Sequence, residues 1–276
     1  MLVTLAEADR PALKVLLDAA PLDSLFLASR IERFGLDAAS LGCPVIGVKQ
    51  GGSLVAAVHA GANLMAVGDP DALPEVVERL GPRIRTQSIL GPSYMVERLY
   101  NGLVRRWGTS WAAVRELRAH QPLMVYREGA VLPVAPDPRL RVMAPADLDV
   151  YFDAATRMYA EEVGTSPFDA SDSYRQYVRY LITNERAFGA YDGHRVWYKT
   201  DVGATSGGVC QVQGVWLDPA LRGHGMAEPL MAAALELIAP RWPTVSLYVN
   251  DYNVRARRMY ERLGLAVVGE FATVLY

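Results

Sequence analysis

Apolar residues recur along this chain with two distinct periods. Alternation, or a short apolar run of strand length, marks LVT, PVIGVKQ, SLVAAVHA, NLMAV and TQSIL in the first part. The same signal marks AFGAY, RVWYKTDVG, CQVQGVWL, TVSLYVN and AVVGEFATVLY in the last part, the final run giving one or two strands. Helical spacing follows LVT and returns over residues 70–80, 93–107, 148–163, 171–183, 227–239 and 254–263. Gly51-Gly52 and Asp192-Gly193 each lie between strand signals and predict hairpins, while residues 114–126 form a mixed run ending in a strand. Helices dispersed among mostly adjacent strands predict an α/β (α+β) fold whose mixed, mainly antiparallel sheets are flanked by helices.

The pattern occurs twice. LVTLAEADRPALKVLLDAA and LRVMAPADLDVYFDAATRMYAEE both read as strand, small-residue turn and acidic helix start, so each begins a similar unit. Between them REGAVLPVAPDP, residues 127–138, carries three prolines and reads as a linker, giving units at 1–126 and 139–276. The length of 276 residues agrees with two ordinary domains.

Composition narrows the function classes. Hydrophobic residues make up 51% and charged residues 21%, which excludes a disordered chain. A formal net charge of -2 supplies no general field for nucleic acid or anionic membranes. Cys43 and Cys210 are the two cysteines, and His59, His120, His194 and His224 show no metal-ligand spacing, so no metal is expected. Acidic residues near the start and polar breaks in VIGVKQGGSLVAAVHAGANLMAV argue against a signal peptide and a membrane span, and a cytoplasmic location is expected.

The sharpest chemical signal is VQGVWLDPALRGHGMAEPLMAAALELI. A strand ends at Asp218-Pro219, and Arg222-Gly223-His224-Gly225-Met226-Ala227 leads into an Ala/Leu-rich helix. Glycines at 223 and 225 permit positive φ and close backbone approach, and amides from Gly223 to Ala227 sit at the positive end of a helix, which suits a diphosphate. The loop lacks the GK[ST] ending of a P-loop, and its place does not match a dinucleotide-binding GxGxxG.

This stretch resembles the acyl-CoA signature of the GCN5-related N-acetyltransferase (GNAT) family, Arg/Gln-x-x-Gly-x-Gly/Ala, with Arg222, Gly225 and Ala227 in its defining places. The resemblance implies that Gly214, Val215, Trp216 and Leu217 offer backbone to the pantetheine arm, and that Arg222, Gly223, His224, Gly225, Met226 and Ala227 receive the pyrophosphate of acetyl-CoA. SLYVNDYNVRARRMYERLGL resembles the family's second strand and helix, with Asn250 and Asn253 near the helix start and Tyr260 beside the thioester. Asn253 equally reads as an ordinary N-cap, and Ala256, Tyr260 and Leu263 as one packed helix face. The first unit has no such signature, so the resemblance implies two GNAT-like acyl-CoA N-acyltransferase units, the first degenerate.

The implied reaction is direct acetyl transfer to an amine, for which the enzyme aligns the nucleophile, takes an amine proton and protonates the departing sulfur. Tyr260 is the candidate acid, and Glu161 and Glu162, followed by Asp201, are candidate bases. Asp169, Asp172 and Tyr174 are candidates for shaping an acceptor pocket. A small amine or amino-acid derivative is the expected acceptor, with a protein N-terminus or lysine, and a CoA-binding regulator without transfer, as alternatives. No nucleic-acid or membrane partner is expected.

Overall fold

A computed structural model describes residues 1–163 and 173–276. The first unit comprises β1 (Leu2–Thr4), α1 (Arg10–Ala19), α2 (Leu25–Phe34), α3 (Ala38–Leu41), β2 (Val45–Gln50), β3 (Ser53–Ala60), β4 (Asn63–Gly68) and α4 (Leu73–Leu80). It continues through β5 (Ser88–Pro92), α5 (Ser93–Trp107), α6 (Thr109–Ala112) and β6 (Glu116–Arg127). Then come β7 (Leu140–Val142), α7 (Leu148–Val163), α8 (Ser173–Thr183), β8 (Ala187–Tyr191), β9 (Val196–Ser206) and β10 (Val209–Leu217). The chain closes with α9 (Ala227–Ile238), β11 (Thr244–Tyr248), α10 (Val254–Arg262) and β12 (Ala266–Leu275).

These elements follow local chemistry. Gly51 and Gly52, at φ of 57° and 86°, turn β2 into β3, a geometry that costs glycine least. α1 buries Leu13 and Leu17, one helical turn apart, and α5 buries Met95, Val96, Leu99 and Leu103 along one stripe. α9 is buried nearly all round through Leu230, Met231, Leu235 and Ile238, each contributing about 1.5–3 kcal/mol. No helix among the described residues is long and apolar enough to cross a membrane.

The two units share one twelve-stranded sheet in the order β1-β2-β3-β4-β5-β12-β6-β11-β10-β9-β8-β7. Its centre is an exchange. β12, from the end of the chain, pairs with β5 of the first unit, while β6 of the first unit pairs with β11 of the second. β6 and β12 pair with each other, antiparallel, from Ala266↔Val125 to Leu275↔Glu116. Each unit therefore borrows a strand from the other, and the repeat seen in sequence becomes a continuous sheet with cores on both faces of each half. α2 also crosses between units: Ser29 Oγ accepts from the Thr205 amide at 3.1 Å, and Arg33 stacks 3.4 Å from the Tyr180 ring centroid.

Within the second unit β10 carries a bulge. Its pairing with β9 shifts register between Gln213 and Trp216, and Gly214 sits there at φ 58°. A buried ion pair lies beneath it. Lys199 Nζ donates to Asp201 Oδ2 at 2.6 Å and to the Gly214 carbonyl at 3.2 Å, while Tyr151 donates its hydroxyl to Asp201 Oδ1 at 2.5 Å. A Cβ at position 214 would lie 2.8 Å from Lys199 Nζ, so glycine is required both for φ and for this close approach. A buried pair is costly to desolvate and costlier to break. Lys199→Met is expected to lower unfolding free energy by about 3–5 kcal/mol, with most of it restored in Lys199→Met/Asp201→Leu. Urea denaturation would check this; a single variant as stable as the parent would contradict it.

Candidate active site

β10 and β11 run parallel but stay paired only at Val209↔Thr244, Cys210↔Val245 and Gln211↔Ser246. Beyond Gln211 they diverge. β9 continues to pair with β10 on the other edge, so among the described residues the diverging edge of β10 offers backbone polar groups without a strand partner. β6 keeps β11 fixed on its far side through five antiparallel register positions, from Thr244↔Arg127 to Tyr248↔Leu123. The opening is thus built into the pairing.

At the end of β10, Asp218 is buried under two arginines, with Arg195 Nη1 at 2.8 Å and Arg157 Nη1 at 3.5 Å, and its Oδ1 accepts from the Ala220 amide. Arg222 then folds back onto the protein. Its Nε donates to the Leu217 carbonyl at 2.9 Å, and its two terminal nitrogens donate to Glu161 at 2.5 and 2.8 Å. These contacts make Arg222 an anchor of the loop. Gly223 and Gly225 have φ of 89° and 73°, and α9 starts at Ala227 behind Met226, whose side chain caps nothing. Among the described residues the first amides of α9 are therefore without a side-chain acceptor, as an incoming anion requires. Glu228 in the first turn is held by Arg262, and Arg255 Nη2 lies 3.8 Å from where a Gly223 Cβ would stand. His224 is exposed on the loop.

The acid–base candidates separate. Glu161 also accepts from Trp216 Nε1 at 3.0 Å, and the Arg222 guanidinium holds its carboxyl below the usual range. A carboxylate so committed is a poor base; its work is to fasten α7 to the loop. Glu162, the next residue, opens to solvent at the cleft, yet burial by its surroundings raises its carboxyl, outweighing the fields of Lys199 and Arg118. Tyr260 is buried on α10, and among the described residues its hydroxyl has no hydrogen-bond partner. Burial raises that phenol first, and the Glu162 charge raises it further, so Tyr260 holds its proton while sharing a field with Glu162. Asp201 is occupied by Lys199 and Tyr151.

Other positions carry structural work. Asn253 caps α10 through the Ala256 amide at 3.2 Å, and Asn250 accepts from Gln121 and donates to the Tyr252 hydroxyl. Val215 is half-buried, and Trp216 and Leu217 are buried, turned into the cores, so what they offer a ligand is backbone. Cys210 is completely buried and its thiol is pushed up to about 12, which suits packing rather than attack. Tyr174 donates to the Ala155 carbonyl at 3.2 Å and packs on Tyr159; Asp169 and Asp172 lie outside the described residues. Three features escaped the sequence reading. Lys199 was one, although Lys and Asp two apart in the apolar run VWYKTDVG share a strand face. α2 was another, and with it Phe26, whose ring meets Tyr248 at 6.1 Å and Phe271 at 6.2 Å. Among the described residues no three His, Cys, Asp or Glu side chains are grouped to hold a metal ion.

The first unit has a comparable divergence, since β4 and β5 pair only at Asn63↔Ser88 and Leu64↔Ile89. Its loop is unlike the second. Asp69 accepts from the Asp71 amide at 2.9 Å, Pro70 and Pro74 have no N–H, and Asp71 and Glu75 add negative charge. An anion finds no free amide row there.

Residues 148–265 match the model of the acetyltransferase (GNAT) family, and residues 43–151 match DUF4081, a domain of unknown function. The GNAT match covers most of the second unit, which carries the family's acetyltransferase domain. A mycothiol acetyltransferase of Acidimicrobium ferrooxidans is 26% identical over 166 residues, 56% of this chain and 51% of that protein. This chain thus spans about half the length of that relative. An acetyltransferase of the GNAT family from Colwellia psychrerythraea shares the fold at 12% identity and TM-score 0.61, covering 100% of this chain and 99% of its own. A tandem GNAT protein from the clavulanic acid biosynthesis pathway does so at 14% identity and TM-score 0.55, covering 99% and 97%.

Gly225→Glu places a carboxylate at positive φ on the proposed anion turn, where a Cβ itself meets nothing within 4 Å. CoA affinity is expected to fall about tenfold or more, ~1.4 kcal/mol, in a variant that still folds. Calorimetric titration checks this; unchanged affinity would remove the anion from this turn.

Proposed function

We propose that this protein transfers the acetyl group of acetyl-CoA directly to the amine of a small molecule or amino-acid derivative. The observation that carries the reading is the divergence of β10 from β11 ending at a glycine turn whose helix lacks a side-chain cap. The pantetheine arm runs along the free edge of β10 at Gly214 to Leu217, and the pyrophosphate rests on the amides from Gly223 to Ala227. Arg255 supplies positive charge beside the turn.

Glu162 takes the proton of the acceptor's ammonium, directly or through water, because its raised pKa makes its carboxylate a better base than an ordinary surface glutamate. The neutral amine attacks the thioester carbonyl, whose developing charge meets backbone N–H near Leu217. The C–S bond then breaks. Tyr260, still protonated, donates to the departing sulfur, and the proton shed by the adduct nitrogen restores the phenol directly or through water. Phe26, Tyr248 and Phe271 form an aromatic group to which both units contribute, and its half-buried members Phe26 and Tyr248 supply a wall for the acceptor. A curated relative named for mycothiol favours a small acceptor over a protein.

Release of free CoA thiol, followed across amines, amino-acid derivatives and peptides, is the test. Turnover is expected with small amines, and Tyr260→Phe is expected to reduce kcat about 10²–10⁴-fold while CoA still binds. CoA binding without turnover on any acceptor would instead identify a regulator. A second outcome follows from charge. Glu162 must be ionised to act, so kcat/KM is expected to fall as pH drops through a value above the ordinary 4.5 of glutamate. Glu162→Gln should abolish this acid limb together with most activity, and an unchanged limb would assign the base elsewhere.

A further inference from the structure

Away from that cleft the first unit holds a nucleophile, a base and an orienting group in contact. Cys43, partly exposed after α3, has its Sγ 3.1 Å from Nε2 of the buried His59 on β3. The tautomer of His59 is fixed from two sides. Nδ1 lies 3.0 Å from the Asn63 carbonyl, which can only accept, so Nδ1 carries the hydrogen. Arg30 Nε donates to Nε2 at 3.2 Å, so Nε2 presents its lone pair. Nε2 has one lone pair, which the Cys43 S–H and the Arg30 N–H share, and the chain of contacts runs nucleophile, base and carbonyl orienter. Gly61 packs directly against the pair, since a Cβ there would lie 2.6 Å from His59 Cε1 and 2.8 Å from Cys43 Sγ.

We propose that Cys43 is a reactive thiol that forms a mixed disulfide with low-molecular-weight disulfides, with His59 as its base. The thiol proton passes to His59 Nε2 as Cys43 Sγ attacks one sulfur of the disulfide. That S–S bond breaks, a new one joins Cys43 to the attacked half, and the departing thiolate leaves with the proton from His59. The disulfide is the oxidant, and His59 returns to its neutral form. Arg30 is the charged group that faces the pair: its cation disfavours a lasting imidazolium and favours the thiolate. Burial and Arg30 both keep His59 neutral, below its ordinary 6.5, whereas burial alone raises the Cys43 thiol. The proton thus stays on sulfur at rest and moves during attack.

The test is incubation of the whole folded protein with bis(2-hydroxyethyl) disulfide, read by intact mass and peptide mapping. One adduct is expected, at Cys43 and not at the buried Cys210, and none in Cys43→Ser. A free cysteine is only ~3% thiolate at pH 7, so base assistance is expected to make the reaction about tenfold or more faster than in the urea-unfolded chain. His59→Gln, which keeps an acceptor but no base, should bring the rate down to the unfolded value. The parent's pH profile gives an independent readout should that variant not fold. A rate flat above the pKa of His59 up to pH ~8 supports the proposal, while a rate rising about tenfold per pH unit there is that of an unassisted thiol. No adduct, labelling of both cysteines alike, or a rate no faster than the unfolded chain would overturn it.

Discussion

The buried contact of Lys199 with Asp201 and the Gly214 carbonyl is the constraint on which the site depends. A strand that leaves its parallel partner after three register positions has lost half its ladder, and nothing in β-sheet physics keeps its free edge in one shape. Here the shape is set from below. Lys199 holds the carbonyl of the bulged glycine, Asp201 holds Lys199, and Tyr151 on α7 holds Asp201. The same helix carries Glu161, which fastens Arg222 and hence the glycine turn, and Glu162, whose carboxyl feels the Lys199 charge. Bulge, turn and candidate base are thus tied to one helix by charged hydrogen bonds, the strong kind.

The second constraint is the exchange of β6 and β12. Because β6 lies against β11, the wall of the cleft opposite β10 is stabilised by a strand of the first unit. Gln121 on β6 reaches Asn250 at the start of the loop to α10, and Phe26 on α2 packs on Tyr248. The first unit therefore contributes to the geometry of the second unit's cleft while its own β4–α4 junction has its amides taken by Asp69 or removed by proline.

Much of this was legible in the order of residues. The hairpin at Gly51-Gly52, the helix Ser93–Trp107 and the Arg222–Ala227 turn depend on local dihedrals and periodicity, which sequence states directly. The continuity of the sheet did not show, because pairing of Phe271 with Pro92 on one side and Gln121 on the other depends on register between distant strands. α2 passed unread: Ser24, at its start, gives its hydroxyl to the Leu17 and Ala20 carbonyls rather than to a capping bond. Glu161 and Glu162 could not be told apart in sequence either. One helical step of about 100° turns one toward Arg222 and leaves the other at the cleft.

In the proposed binding mode acyl-CoA lies along the free edge of β10 and on the glycine turn of the second unit alone. Backbone hydrogen–deuterium exchange with and without acetyl-CoA reads this residue by residue. Slowed exchange is expected over residues 214–217 and 223–228, with no change over residues 66–73, the matching junction of the first unit. Slowed exchange at 66–73, or none at the second-unit turn under saturating acetyl-CoA, would contradict it.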